Sequence, residues 1–534
     1  MTTTRLKTQD DLARAFDALK KLFDRHAEWF CAEDENAVTS NLNARECELT
    51  IKHGQLIFSY HATEGAWRQW RVTGWREANG KLLLNVTRQM GAVISVLELV
   101  PRARASDTNL EIEAARRLLC AQMAHAAAVQ LNTQHGGAWQ IEKSALSRGA
   151  RRGEPGRYAR ISLAAHNSRR IAVTGVVAEV KPQEVERMMA SALLWFVNLR
   201  RGASELWIVI PPSLIAHTVK CCALLKKSLR AQIKIYEQAT GEPDDRKNGE
   251  SGAAKTDQVL LPITLTPLKE FIAKAEHETR RAPRSANEVL SDTARRIIAF
   301  APEAVDAVRA GHGETLRFHG LAFARVRRFA EHETVWFGVE AKRRLLDESS
   351  WRGLAELIDK LAEYRRHDTP DRRHRFYTAA PEAWLETVLR RDISRLDPGL
   401  IVSPLHAQFR VRRQASKQAS RPIDLLALRR NGRLVIIELK TAETLALPLQ
   451  AANYWLDVEA ARLDGSIKQA QLFGSSREIA DHTPLVYLVA PALRFHRQTE
   501  ELARLLTPEI EIFRFDLNED WRAGVRVARR ERFG

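Results

Sequence analysis

Residues 421–440 read RPIDLLALRRNGRLVIIELK, two apolar runs separated by Asn431-Gly432. An Asn-Gly pair favours the tight two-residue turn of a β-hairpin, because both of its residues tolerate a positive φ. The pattern therefore predicts that residues 422–430 and 433–440 form two paired antiparallel strands.

Three charged residues interrupt this apolar hairpin. Asp424 lies inside the first strand, and Glu438 and Lys440 lie near the end of the second. Side chains alternate along a strand, so Glu438 and Lys440 project from one face while Ile437 and Leu439 pack on the other. The three charges are therefore expected to converge on one patch of the sheet.

A carboxylate on an apolar sheet costs several kcal/mol unless a partner offsets its desolvation. Asp424 and Glu438, with a nearby main-chain carbonyl, form an oxygen ligand set that suits Mg²⁺, and Mn²⁺ is the alternative ion. Lys440 beside such a metal could orient or deprotonate a water and offset charge on a phosphate. This chemistry favours phosphodiester hydrolysis. The alternative is a satisfied buried ion network without metal.

Asp424 followed, after a hairpin, by Glu438-Leu439-Lys440 resembles the motif of the PD-(D/E)XK nuclease superfamily. The resemblance covers about residues 376–520, and one departure is that Ile423 separates Pro422 from Asp424. It implies a restriction-endonuclease-like mixed sheet flanked by helices, with Asp424 and Glu438 as metal ligands and Lys440 as a catalytic residue.

Two flanking helices extend the resemblance. Glu386, in PEAWLETVLRRDI, is similar to the helical acidic residue that the family often places beside its metal, which implies a catalytic and metal-binding role. Gln450 and Tyr454 resemble the QxxxY element of RecB-like members. They are spaced i and i+4 on one helix face and are expected to hold substrate. For all three residues, ordinary helix packing or a solvated face is the alternative.

The chain is strongly basic. Its 534 residues include 83 Lys and Arg against 66 Asp and Glu, a formal net charge of +17, which favours a nucleic-acid partner. Arg421 and Arg430 flank the proposed site and are predicted to contact phosphate. Further basic residues nearby are Arg390, Arg391, Arg395, Arg410, Arg412, Arg413, Lys417, Arg429 and Arg433.

The same composition argues against other classes of protein. The most apolar long window, residues 206–225, is interrupted by Pro211, Pro212, His217 and Lys220, so no membrane association is expected. Five scattered cysteines and the lack of a signal peptide indicate a reducing, cytoplasmic location. The sequence leaves open whether the chain forms a homo-oligomer or binds a protein partner.

Length and patterning predict a mixed α/β protein of several folded units. We predict the following divisions: a helical segment at 1–44, a small antiparallel β unit at 45–105, a degenerate nuclease-like α/β domain at 106–237, a linker at 238–260, a helical segment with a second small β unit at 261–375, and the nuclease-like domain at 376–534.

The degenerate domain follows from an internal duplication. ELWIVIPPSL at 205–214 parallels PLVYLVAPAL at 484–493, and QIKIYE at 232–237 parallels a strand within 509–516. In this correspondence Gly175 and Val177 occupy the positions of Glu438 and Lys440. The first copy would therefore lack the metal site and would serve binding, pairing or scaffolding. The alternative is that any two α/β units share such runs.

Two other sequence patterns are weaker indications of a functional site. ExK also occurs at 179–181 and 340–342, but neither has an upstream strand Asp or a following QxxxY. Tryptophans and arginines interleave at Trp67, Arg68, Trp70, Arg71, Trp75 and Arg76, either as a stacking platform for single strands or as the core of a β unit.

Together these features predict a divalent-metal-dependent nuclease, with DNA favoured over RNA. The alternative is a non-catalytic nucleic-acid-binding scaffold in repair or defence. That scaffold would show salt-sensitive binding without metal-dependent cleavage.

Overall fold

The structure is a computed structural model. The chain divides into two compact units, residues 1–181 with 238–260, and residues 182–237 with 261–534. The structure describes all residues except 1–3, 7, 27, 34–38, 45–46, 62–66, 79–80, 88–93, 102–104, 136–137, 149–154, 167, 200–201, 241–257, 278–289, 311–312, 330–331, 340–342, 411–420 and 534. The ExK pattern at 340–342 and most of the predicted linker lie outside the described residues.

The first unit opens with a large antiparallel sheet and one amphipathic helix. Its elements are β1 (Thr4–Arg5), α1 (Gln9–Phe23), β2 (Glu28–Glu33), β3 (Thr39–Asn43), β4 (Glu48–Lys52), β5 (Gln55–His61), β6 (Trp67–Ala78), β7 (Lys81–Thr87) and β8 (Ile94–Pro101). The strand order is β3-β2-β8-β7-β6-β5-β4, and β1 also pairs with β6.

Helix α1 illustrates why these residues form these elements. Thr8 and Asp11 form a capping box that satisfies two backbone N–H groups at the helix start. Ala15, Leu19 and Leu22 recur at helical spacing and are buried against the sheet core.

The segment 1–44, predicted to be helical, is corrected by this architecture. Its helix ends at Phe23, and β2 and β3 then join the sheet through pairing of β2 with β8. Trp29 and Cys31 are both buried, which is the two-residue period of a strand. Trp70 is buried in the same core, as the packing alternative for the tryptophans expects.

The first unit also contains a long helix and a three-stranded meander. These are α2 (Ala105–His135), β9 (Gln140–Arg148), β10 (Pro155–Ala164) and β11 (Arg170–Val176). β10 pairs antiparallel with both β9 and β11.

The helices and strands that follow belong mostly to the second unit. In residues 182–345 they are α3 (Val185–Val197), β12 (Glu205–Ile210), α4 (Pro212–Ala223), α5 (Lys227–Arg230), β13 (Ile233–Thr240), β14 (Gln258–Ile263), α6 (Leu268–His277), α7 (Asp292–Ile298), β15 (Val305–Ala310), β16 (Gly313–Phe318), β17 (Leu321–Phe329), β18 (His332–Phe337) and β19 (Arg344–Leu345). β12 and β13 are parallel, whereas β15 to β19 form an antiparallel five-stranded sheet in sequence order.

The C-terminal region forms a six-stranded mixed sheet flanked by helices. Its elements are α8 (Trp351–Tyr364), α9 (Arg375–Thr378), α10 (Pro381–Arg391), β20 (His406–Phe409), β21 (Ile423–Leu428), β22 (Leu434–Leu439), α11 (Leu447–Leu463), α12 (Ser466–Gln469), β23 (Leu485–Pro491), α13 (Thr499–Ala503), β24 (Glu511–Leu517) and β25 (Val527–Phe533). The strand order is β20 to β25, with β22, β23 and β24 parallel and the other pairs antiparallel.

The predicted hairpin is β21 paired with β22. Leu425, Ile437 and Leu439 enter the same core as Trp384 and Leu389 of α10. Helix α11 contacts β22 and β23. The mixed α/β class, with a helix-flanked C-terminal mixed sheet and smaller β units before it, is thereby confirmed. The domain boundaries drawn from the sequence stay a prediction.

Within the described residues, none of the helices has the length and apolar character needed to cross a membrane.

Candidate active site

Asp424 and Glu438 come together at the open end of the β21–β22 hairpin. The last ladder pair is Leu425 with Ile437, and the two acidic residues lie one position beyond it on the two strands. Asp424 Oδ2 accepts a hydrogen bond from the backbone N–H of Leu439 at 2.8 Å. This bond fixes the Asp424 carboxylate beside the second strand, where the sequence predicted it.

Lys440 leaves the strand beside these carboxylates. Its backbone N–H donates to the carbonyl of Val489 on β23 at 2.9 Å, which holds the end of β22 in the sheet. Its Nζ donates to Glu438 Oε1 at 2.7 Å. The predicted grouping of Asp424, Glu438 and Lys440 in one patch is therefore present in the structure.

The two oxygens of Glu438 have different surroundings. Oε1 accepts from Lys440 Nζ and from Gln450 Nε2, both at 2.7 Å. Oε2 is buried and has no hydrogen-bond partner in the part of the chain that the structure describes. Glu438 is only 1% exposed, so this oxygen cannot be satisfied by bulk water. A cation ligated by Oε2 would supply the missing partner.

Burial and neighbouring carboxylates disfavour the charged forms of both carboxyl groups. Burial, reinforced by the charge of Asp424, raises the pKa of Glu438 to about 8 although Lys440 opposes the shift. Burial likewise raises the pKa of Asp424 to about 6, against the opposing effects of Lys440 and the Leu439 N–H. Groups with such shifts are typical of functional sites.

Lys440 remains an ammonium in this setting. Burial disfavours its charge, but the carboxylates of Glu438, Glu382 and Asp424 outweigh burial and raise the pKa of Lys440. At neutral pH the side chain is therefore a cation that stabilises negative charge. Its predicted action on a water molecule, orienting it or removing its proton, stays a prediction.

Gln450 and Tyr454 face the same carboxylate from α11. Gln450 Nε2 donates to Glu438 Oε1 and also lies 3.2 Å from the Tyr454 hydroxyl, as the i, i+4 spacing expects. Tyr454 is buried, and burial together with Glu438 raises the pKa of its hydroxyl. In the structure both side chains orient the acidic site. Their predicted contact with substrate stays a prediction.

Glu386 is occupied by other side chains. Its Oε1 accepts from Arg317 at 3.0 Å, and its Oε2 accepts from Gln408 Nε2 at 2.8 Å. Arg317 and Arg390 both contact Asp306, at 2.6 and 2.7 Å. A buried ion network thus ties α10 to β15 and β16, and both Glu386 oxygens are engaged in it. The metal-binding role predicted for Glu386 receives no support from these contacts.

Glu382, one helical turn before Glu386 on α10, lies near the Lys440 ammonium. Its Oε2 is 4.0 Å from Lys440 Nζ, and its side chain is 44% exposed. Glu382 is not among the residues predicted from the sequence. The i, i+4 spacing puts both glutamates on one helix face, so the sequence pattern alone does not distinguish them.

The two arginines predicted to hold substrate lie elsewhere. Arg421 donates to the carbonyl of Gln183 and lies 3.8 Å from Glu186. Arg430 is exposed in the hairpin turn, at the end of β21 opposite Asp424. Arg430 lies five positions beyond Leu425, the ladder residue next to Asp424, which is about 17 Å at the rise of a strand. Neither arginine is brought to the carboxylates.

Several other basic residues predicted near the site form ion pairs. Arg395 lies 3.0 Å from Asp392, and Arg433 lies 2.6 Å from Glu511. Arg412, Arg413 and Lys417 lie outside the described residues.

The residues present fit a divalent cation as a partial ligand set. Asp424 and Glu438 offer carboxylate oxygens, and Mg²⁺ commonly binds through one or two carboxylates while retaining waters and a substrate phosphate. Across the described ranges, no group of three or more His, Cys, Asp or Glu side chains is arranged to hold a metal ion. The fit therefore rests on two carboxylates and the unpartnered Oε2 of Glu438.

Comparisons with known proteins give only distant likenesses. No family model matches the sequence, and no curated protein matches it. Among solved structures, EndoMS in apo form shares 8% identity with a TM-score of 0.16, over 45% of this chain and 99% of that one. An EndoMS–dsDNA2 complex shares 12% identity with a TM-score of 0.17, over 46% and 98%.

A repair endonuclease from Pyrococcus abyssi shares 9% identity with a TM-score of 0.11, over 39% of this chain and 89% of that one. With TM-scores this low, the three likenesses carry no conclusion about the fold or activity of this chain.

Proposed function

We propose that this chain is a divalent-metal-dependent nuclease that hydrolyses phosphodiester bonds, with DNA favoured over RNA. The observation that carries the proposal is the buried, unpartnered Oε2 of Glu438 beside Asp424 and the Lys440 ammonium. A net charge of +17 supports a polyanionic substrate. We further propose a cytoplasmic location, which agrees with the buried thiols of Cys221 and Cys222.

Asp424 and Glu438 would hold Mg²⁺ or Mn²⁺, which supplies Lewis acidity and a more acidic water when bound. In hydrolysis, the oxygen of water forms a bond to phosphorus and the bridging P–O bond breaks. Lys440 stabilises the negative charge that grows on the phosphate oxygens. Lys440 and Gln450 both donate to Glu438 Oε1, which leaves Oε2 without a partner among the described residues and able to ligate the metal.

The direct test is cleavage of single-stranded, duplex and branched DNA and of RNA, with Mg²⁺, with Mn²⁺ and with EDTA. We expect cutting that EDTA abolishes. Salt-sensitive binding without cutting would instead support the nucleic-acid-binding scaffold.

Metal binding is testable without activity. We expect Mn²⁺ or Mg²⁺ to stabilise the protein by about 2.7 kcal/mol at a concentration 100 times its Kd, because the ion binds only the folded site. The rise in melting temperature should disappear in Glu438→Gln and persist in Glu478→Gln, whose carboxylate lies in an exposed loop. An equal rise in both variants would move the metal site away from Glu438.

The two glutamates of α10 should respond differently to substitution. Glu382→Gln should lower cleavage about 10- to 100-fold, as loss of an outer partner of a metal site does, with little change in stability. Glu386→Gln should destabilise the protein by about 1–3 kcal/mol, because Arg317 loses a charged partner in a buried site. Denaturant unfolding and cleavage rates measure both effects. If Glu386→Gln instead lowered cleavage without loss of stability, and Glu382→Gln did not, Glu386 would be the metal-site residue.

A further inference from the structure

Helices of the two repeats pack reciprocally within the second unit. α3 precedes strand β12 and α4 follows it, just as α11 precedes β23 and α13 follows it. α3 contacts α11, α3 contacts α13, and α4 contacts α11. Exchanging α3 with α11 and α4 with α13 therefore maps this set of contacts onto itself, which is the property of an interface with two-fold symmetry.

The segments that follow α4 and α13 pair with each other across the same interface. Leu225 and Leu506 form an antiparallel bridge. Lys226 N–H donates to the Leu505 carbonyl at 3.0 Å, and Thr507 N–H donates to the Leu224 carbonyl at 2.8 Å. Leu225 and Leu506 lie 281 positions apart, against 280 for Pro211 and Pro491. Equivalent residues of the two repeats thus pair with each other at the approximate two-fold axis of the interface.

Polar side chains join the same helices. Lys220 of α4 contacts Asp457 of α11 at 3.0 Å. Asn198, at the end of α3, donates to Glu501 of α13 at 2.6 Å. The first contact joins α4 to α11, and the second joins the end of α3 to α13. Exchanging α3 with α11 and α4 with α13 therefore interchanges the two pairs of helices.

The hairpins of the two repeats differ in chemistry. In β10–β11, Ala159 lies opposite Gly175, where β21–β22 has Asp424 and Glu438. Ala159 is fully buried, and α3 contains neither Gln nor Tyr in its sequence. The first hairpin therefore provides no carboxylate pair for a metal, whereas the second does.

We infer that the helices of the two repeats, which pair within the second unit, form an internal two-fold platform that binds double-stranded DNA, and that the chain cuts only one strand of it. The inference rests on the proposed function. The two backbones of a duplex are related by two-fold axes, so a protein with two-fold symmetry presents equivalent elements to both strands. Because one repeat lacks the acidic site, each binding event produces a single nick.

The test is cleavage of supercoiled plasmid with Mg²⁺ under conditions of less than one cut per molecule. We expect nearly all of the product to be nicked circle, with linear DNA appearing only later from accumulated nicks. Asp424→Asn is the inactive control. Linear DNA formed at the same initial rate as nicked circle would overturn the inference but leave the nuclease proposal standing. Cleavage confined to single-stranded DNA would have the same consequence. Absence of any metal-dependent cutting would overturn both the inference and the nuclease proposal.

Stoichiometry gives a readout that does not depend on cleavage. Sedimentation of the Asp424→Asn chain with a short duplex should show one 60.5 kDa chain per DNA molecule. Two chains per duplex would overturn the inference, because a second chain would bring a second acidic site to the other strand.

Discussion

We expect Lys440→Ala to lower the rate of metal-dependent DNA cleavage by on the order of 10³-fold, because removing one preorganised charge from a water-poor site has that effect. Lys440 Nζ lies 2.7 Å from Glu438, and its side chain is only 15% exposed. Its charge is thus focused on the acidic site. Initial cleavage rates at saturating metal measure the loss.

A matched control separates this role from a general loss of positive charge. Lys468→Ala removes an exposed lysine of α12 and should leave the rate within about twofold, since surface charges are screened by salt. Both variants should retain a cooperative melting transition. Equal cutting by the wild type and Lys440→Ala would remove the catalytic assignment.

The largest effect on stability is expected at Arg365. This side chain is fully buried at the end of α8 and donates to the carbonyls of Phe318, His319, Phe376, Ala379 and Ala380. Its guanidinium also lies 4.6 Å from the ring centroid of Trp384. Burial, with a contribution from Arg522, lowers the pKa of Arg365 to about 9.

We expect Arg365→Ala to reduce the free energy of unfolding by at least about 4 kcal/mol, because several buried carbonyls lose their donor together. Arg365→Lys should recover only part of this loss, since an ammonium cannot reproduce the planar guanidinium fork. Arg366→Ala is the matched control. That exposed neighbour pairs with exposed Asp368 and should change stability by about 0.5 kcal/mol or less. Urea unfolding of the three variants provides the measurement, and equal effects of Arg365→Ala and Arg366→Ala would contradict the prediction.

The parts of the site that are local in sequence could be predicted. The Asn431-Gly432 turn fixes the hairpin, and strand alternation then puts Asp424 and Glu438 on one side of the sheet. Helical spacing likewise puts Gln450 and Tyr454 on one face of α11. Each of these inferences depends on fewer than twenty consecutive residues.

The parts that depend on distant residues could not be predicted. Arg317 lies 69 positions from Glu386, and no periodic pattern indicates that the two form an ion pair. The engagement of both Glu386 oxygens by Arg317 and Gln408 could therefore not be foreseen, and the metal-binding role of Glu386 stays a prediction. Arg430 was selected for its charge and its nearness in sequence, although a hairpin turn lies at the opposite end of the strand from Asp424.

The side chains that anchor α10 limit how far this protein could be shortened. Arg317 and Arg365, which hold Glu386 and the carbonyl of Ala380, both precede residue 376. A fragment excised at residue 376 would retain Asp424, Glu438 and Lys440 but would lose the residues that anchor the helix beside them. The smallest autonomous catalytic piece is thus expected to begin before β15, upstream of the boundary that the sequence motifs alone mark out.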